Sequence, residues 1–108
     1  MSLEIRWSEP ALLSLAEVLQ YTLEKHGERQ YEKIRKQVMD AVRLISNMPF
    51  MAAVEPYSKA VGIELRGFLV IPQIKIIYSI GNGVLYIEYI KNTYLSERTM
   101  LDRMGYCF

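Results

Sequence analysis

The chain has 108 residues, 51% of them hydrophobic and 23% charged, with a formal net charge of +1 at pH 7. That length suits one domain around one packed core. The near-neutral balance excludes a protein that grips nucleic acid mainly through backbone phosphates. Charge is spread evenly, with 7 basic and 7 acidic side chains in residues 1–54 and 6 against 5 in residues 55–108. The lone cysteine, Cys107, cannot close an internal disulfide and is expected to be an inert thiol in a reducing compartment. The N-terminus lacks the apolar core of a secretory signal, and no apolar run approaches the roughly 20 residues that span a bilayer. A cytoplasmic protein without membrane association is expected.

Leu3 to Trp7 alternates apolar and polar residues, the period of a half-buried strand. Ser8 then offers a helix N-cap, Glu9 complements the positive end of the helix dipole, and Pro10 is tolerated in a first turn. The spacing predicts a helix to about Lys25 with an apolar stripe of Leu12, Leu15, Ala16, Leu19 and Leu23, stopped by Gly27. A second helix follows, with Tyr31, Ile34, Val38, Ala41, Ile45 and Met48 in steps of three and four, and Pro49 ends it near Asn47. Two helices joined by so few residues predict an antiparallel hairpin.

Residues 51–60 read as a loop. Val61 to Val70, Ile74 to Ile80 and Val84 to Lys91 are rich in Val, Ile, Tyr and Phe, with Ile71-Pro72-Gln73 and Gly81-Asn82-Gly83 as turns between them. These predict a three-stranded antiparallel meander. Ser96 to about Met104 predicts a short terminal helix. The expected fold is α+β, with an N-terminal strand, a helical hairpin and the meander forming one small sheet in a single domain, core about 3–98 and tail 99–108.

Familiar catalytic signatures are absent. The sequence has no glycine-rich phosphate loop, no Cys/His ligand spacing and no nucleophile elbow, so no metal and no cofactor is expected. His26, the single histidine, reads as a solvent-facing residue at a helix end. What remains is the sheet. Alternation groups Gly62, Glu64, Arg66 and Phe68 on one face of the first strand, Lys75, Ile77 and Ser79 on one face of the second, and Leu85, Ile87, Tyr89 and Lys91 on one face of the third. Arg66, Lys75 and Lys91 are cations set in apolar strands, either a sparse basic patch or ordinary solvated charges that discourage edge-to-edge association. Arg66 and Lys75 are expected on one face as a candidate anion-binding pair.

Several stretches together resemble the RelE/ParE superfamily of toxins over about residues 3 to 98. They are Ile5-Arg6-Trp7-Ser8-Glu9-Pro10-Ala11, Leu44-Ile45-Ser46-Asn47-Met48-Pro49, Glu64-Leu65-Arg66, Ile74-Lys75-Ile76-Ile77-Tyr78-Ser79-Ile80, and Val84-Leu85-Tyr86-Ile87-Glu88-Tyr89-Ile90 after the glycine turn. The resemblance implies the toxin of a type II toxin–antitoxin (plasmid stabilisation) module, held silent by an antitoxin protein. RelE-like members cut ribosome-bound mRNA, and ParE-like members inhibit growth by poisoning DNA gyrase. In the first case the resemblance implies Arg66, Lys75, Lys91, Tyr94 and Arg98 as the set that faces phosphate and moves protons, since 2′-hydroxyl attack needs cations on the developing charge. This sequence keeps that set in part. Lys75 stands where the strand arginine is found and lacks its bidentate fork, and Gly62 and Glu64 stand where lysines are often found. The reading favours ParE-like target binding, with RelE-like cleavage and a non-catalytic peptide-binding adaptor or degenerate toxin as the alternatives.

Overall fold

The computed structural model describes residues 2–106. Cys107 lies outside them. Strand β1 (Glu4–Trp7) leads into helix α1 (Glu9–Asn47), a short α2 (Ser58–Val61), strands β2 (Arg66–Ile71), β3 (Ile74–Gly81) and β4 (Val84–Asn92), and helix α3 (Glu97–Arg103). The Ser8 side chain accepts from the Ala11 N–H, so the helix begins where a cap, an acid and a proline converge.

Helix α1 is one run of 39 residues whose regular geometry breaks only at Gly27, at φ 85° and ψ 177°. A straight helix of that length would reach about 58 Å, yet the longest dimension of the molecule is 38 Å. The run therefore bends at Gly27, and its two ends return to the same strand. Ser8 caps its start beside β1, and the Leu3 N–H donates to the Ser46 carbonyl near its end at 2.9 Å. The positive-φ, non-helical backbone at Gly27 divides the run into two helical segments, at the glycine where a stop was expected.

The sheet has four strands in the order β1-β4-β3-β2. β2 pairs antiparallel with β3 and β3 with β4, while β1 pairs parallel with β4. The sheet is thus mixed where a purely antiparallel one was expected. Tight turns force β2, β3 and β4 to alternate, whereas the long α1 connection leaves β1 free to run parallel. Both edges are blunted. β1 is four residues long with an exposed Arg6–Glu4 ion pair, and β2 is bridged at Arg66 by Val54, bulged between Leu69 and Ile71, and followed by Pro72. The first strand of the expected meander begins at Arg66 and not at Val61, because residues 58–61 form a helical turn closed by left-handed Gly62.

One core lies between α1 and the sheet and includes Leu15, Leu19, Ile34, Val38, Ile45, Ile76, Tyr78 and Ile87. The stripe on the first half of α1 is rotated from expectation. Ala11, Ser14, Leu15, Leu19 and Thr22 are buried, while Leu12 is 53% exposed. Small residues face the sheet because they let the helix approach it, and the Ser14 hydroxyl accepts from the Ile90 N–H at 2.9 Å while donating to Ala11. A second cluster covers the opposite sheet face, where Leu65, Ile77 and Tyr89 meet Met100 and Leu101 of α3.

Candidate functional site

The two faces of the sheet separate the cations that sequence alternation had grouped. Arg66 pairs in register with Tyr78, on the face turned to α1. Lys75 pairs with Leu69 and Lys91, on the face that also carries Gly67, Ile77 and Tyr89. Arg66 and Lys75 therefore emerge on opposite faces, and the expected two-residue anion site does not form. The physical reason is parity: the register fixes Arg66 with Tyr78, three residues from Lys75, so they cannot share a face.

A second shift occurs in β4. The pairing jumps from Ile77↔Tyr89 to Tyr78↔Ile87, which leaves Glu88 as an extra residue in a bulge. Leu85 and Ile87 consequently pack toward α1, and Tyr89 and Lys91 face the other side. Simple alternation had put all four on one face.

Arg66 is a structural cation. Its guanidinium donates to the Ala52 carbonyl at 2.6 Å and to Glu64 at 3.0 Å, and lies 5.1 Å from the centre of the Phe50 ring. Its Nε is buried without an acceptor among the described residues. The side chain thus clamps residues 50–52 to the edge of β2 and has little left for a ligand.

The other face holds the denser arrangement. Lys75 and Lys91 stand directly opposite each other across β3 and β4. The Lys75 ammonium donates to Glu55 at 2.9 Å, with the Glu55 side chain only 12% exposed. Lys91 is 8% exposed and has neither an ion pair nor a side-chain hydrogen bond among the described residues. Tyr57 lies beside this group with its hydroxyl buried and without a hydrogen-bond partner among the described residues. Burial, reinforced by the negative charges of Glu55 and Glu97, pushes that phenol far above its ordinary range. Glu88, the other acid on this face, is engaged by the Ser79 hydroxyl at 2.7 Å. On this face, then, Lys75 is paired with Glu55 over Gly67, and Lys91 occupies the opposite register position in β4.

Tyr94 is placed elsewhere. Tyr94 is 83% exposed in the turn after β4, and Arg98 is an exposed residue of α3. Tyr94 lines a groove of about 920 Å³ between the bend of α1 and the end of the sheet, together with Tyr21, His26, Gln30, Gln73 and Asn92. His26 is exposed there, edge-on to Tyr21 at 6.5 Å between ring centres. Lys75 and Lys91 do not line this groove, so the five residues implied by the resemblance do not converge on one point.

Sequence reasoning missed Glu55 and Gly67. Glu55 sits in a stretch read as a loop, and only its pairing with Lys75 gives it a role. Gly67 did carry a signal, since a glycine inside a strand of large residues marks close approach of another group. A Cβ at Gly67 would collide with the Glu55 carboxylate and come within 2.8 Å of the Lys75 side chain.

No family model and no curated protein matches the chain. Among solved structures, it is similar to a chain of the chromosomal ParDE TA (toxin–antitoxin) system from P. aeruginosa, with a TM-score of 0.67 and 15% sequence identity. The likeness covers 84% of this chain and 96% of that one. The protein is a mixed α+β structure with one four-stranded sheet and a long bent helix, and it shares its fold with a chain of that system.

Proposed function

We propose that the chain is the toxin of a type II toxin–antitoxin module, silenced by a cognate antitoxin protein, and that it arrests growth by binding a large target such as DNA gyrase. The observation that carries this reading is the shared fold, which extends over 84% of the chain and nearly all of the ParDE chain it matches. The surface supports an antitoxin partner. Leu12, Leu13, Met48 and Phe50 are more than half exposed, and the groove beside the bend of α1 is large for so small a protein. Exposed apolar area of this kind marks partner surfaces.

Target binding is preferred over RNA cleavage because the cations are already engaged or scattered. Arg66 fastens residues 50–52, Lys75 is paired with Glu55, and Tyr94 lines a groove that neither Lys75 nor Lys91 lines. Cleavage would need several such groups around one phosphate.

The test combines induced expression with two biochemical readouts. Growth should stop on induction and resume when the adjacent small gene is co-expressed. Purified protein should inhibit supercoiling by gyrase, and primer extension should reveal no new cuts in ribosome-bound mRNA. Codon-positioned cuts that vanish with Lys91→Ala would install the RelE-like reading instead. Growth unaffected by expression at confirmed levels would remove the toxin reading altogether.

A further inference from the structure

Antiparallel helices are usually joined by a loop of about 2–5 residues. Here the connection is the single residue Gly27, and helical geometry resumes on both sides of it. Packing does not hold the bend. Residues 23–29 are all exposed, and no packed neighbour lies within 4 Å of the position a Gly27 Cβ would take. What folds the helix back is the core at its two ends. Ala11, Leu15 and Leu19 of the first half are buried with Ile34, Val38 and Ile45 of the second. β1 adds its parallel pairing with β4 and the Leu3 N–H bond to the Ser46 carbonyl. Each of these contacts joins residues before Gly27 to residues after it, and none requires that both belong to one chain. The sequence at the bend itself favours a continuous helix, since Glu24, Lys25, Glu28, Arg29 and Gln30 are all good helix formers.

We propose that Gly27 is a hinge through which two copies of this chain exchange β1 and the first half of α1. With Gly27 in helical geometry, α1 becomes one rod about 58 Å long, and its first half packs on the sheet of the second copy. The contacts of the monomer are regained between chains, including the β1–β4 ladder, the Ile90 N–H bond to Ser14 and the Arg103–Glu17 ion pair. The exchange adds helical hydrogen bonds through the bend, against the entropy of joining two chains. Very short connections invite such exchange. Glycine adopts the bent backbone freely, so the monomer dominates at low concentration. In the dimer each groove beside the bend is built from two chains, with Tyr21 and His26 from one and Gln30, Gln73 and Asn92 from the other. This inference goes beyond the toxin reading and does not depend on it, since its test uses only the purified chain.

The experiment asks which chain supplies β1, using Arg6→Cys with Tyr86→Cys in a Cys107→Ser background. Arg6 and Tyr86 are register partners of β1 and β4, on neighbouring strands about 4.8 Å apart, within reach of a disulfide. The protein is unfolded, refolded at low and at high concentration, separated by size and oxidised. A denaturing, non-reducing gel then distinguishes a link within one chain from a link between two. The monomer fraction should be linked within the chain and the dimer fraction between chains, with the dimer share rising with refolding concentration. Gly27→Ala opposes the bend and suits the straight helix, so it should tighten dimerisation by about a hundredfold or more. Diluted until monomeric, the same variant is only less stable. A Gly-Ser-Gly-Ser insertion after Gly27 supplies a relaxed loop and should keep the chain monomeric at every concentration. A dimer linked within each chain, a folded Gly27→Ala that stays monomeric, or an insertion variant that dimerises as strongly as the unmodified chain would overturn the hinge. Should Gly27→Ala fail to fold, the chain with its glycine decides, and the absence of an interchain link after refolding at high concentration overturns the proposal as well.

Discussion

The Tyr78 side chain is fully buried, and its hydroxyl donates to the Pro49 carbonyl at 2.7 Å. Arg66, its register partner, secures the same loop through Ala52, so two neighbouring side chains of the sheet fasten the exit of α1. A cation first read as a candidate ligand group is thus part of the scaffold. Arg66→Gln removes the charge-assisted bond to Ala52, the ion pair with Glu64 and the contact with Phe50. Hydrogen bonds to charged groups contribute about 1.5–3 kcal/mol each, but this variant also deletes the unpaired Nε. A net loss of about 1–2 kcal/mol is expected, checked by urea denaturation at constant slope. A stability equal to that of the unmodified chain would mean that residues 50–52 are held by other contacts.

At the scale of elements, the bend of α1 decides where both its halves can bury their apolar faces. Gly27 adopts φ 85° and ψ 177°, a region reached almost only by glycine. Nothing lies within 4 Å of the position a Cβ would take, so the cost of a side chain there is purely conformational. Gly27→Ala should therefore destabilise the fold by about 1–3 kcal/mol. Equilibrium unfolding measures the loss, and the far-ultraviolet dichroism should keep its helical form because both halves retain their sheet contacts. An unchanged midpoint would show that the bend does not require this backbone geometry. Pro10 illustrates the opposite case: its restricted φ suits the first turn of α1, where the missing N–H costs nothing.

For the whole molecule, three phenols link stability to alkaline pH. Burial raises Tyr57, aided by Glu55 and Glu97. Burial also raises Tyr78, against the opposing Ala52 backbone and Arg66 charge, and it raises Tyr106, aided by Glu88. A raised pKa means that the folded state keeps its phenolic proton where the unfolded chain has lost it. The stability these groups contribute is complete below about pH 10, the ordinary phenol value, and is lost as pH rises above it. Unfolding free energy should therefore decline from about pH 10 upward. Tyr57→Phe should flatten part of that decline and, by deleting a buried hydroxyl without a partner, leave stability at pH 7 equal or higher. Denaturation curves at pH 7, 9 and 11 check both statements, and an undiminished slope in Tyr57→Phe would assign the alkaline loss to the other two phenols.

Local chemistry was enough to place the long elements, though not the short α2. Ser8, Glu9 and Pro10 mark the start of α1, the spacing of Ile34, Val38, Ala41 and Ile45 marks its buried stripe, and the β-branched runs after Arg66 mark the strands, because caps and periodicity act within a few residues. The expected resemblance rested on the same local stretches, and what the ParDE chain shares with this one, at 15% identity, is the fold. The site was legible only in pieces. Lys75 and Lys91 stand out as cations in apolar strands, but their pairing depends on the register of β3 and β4, and the bulge at Glu88 reverses the face that alternation assigns. Glu55 lies 20 residues before its partner, and the room left by Gly67 has meaning only once that carboxylate crosses the strand. Register, bulges and crossings are set by packing among residues distant in the chain. Tertiary structure alone therefore decided that Arg66 fastens a loop while Lys75, on the other face, pairs with Glu55 over Gly67.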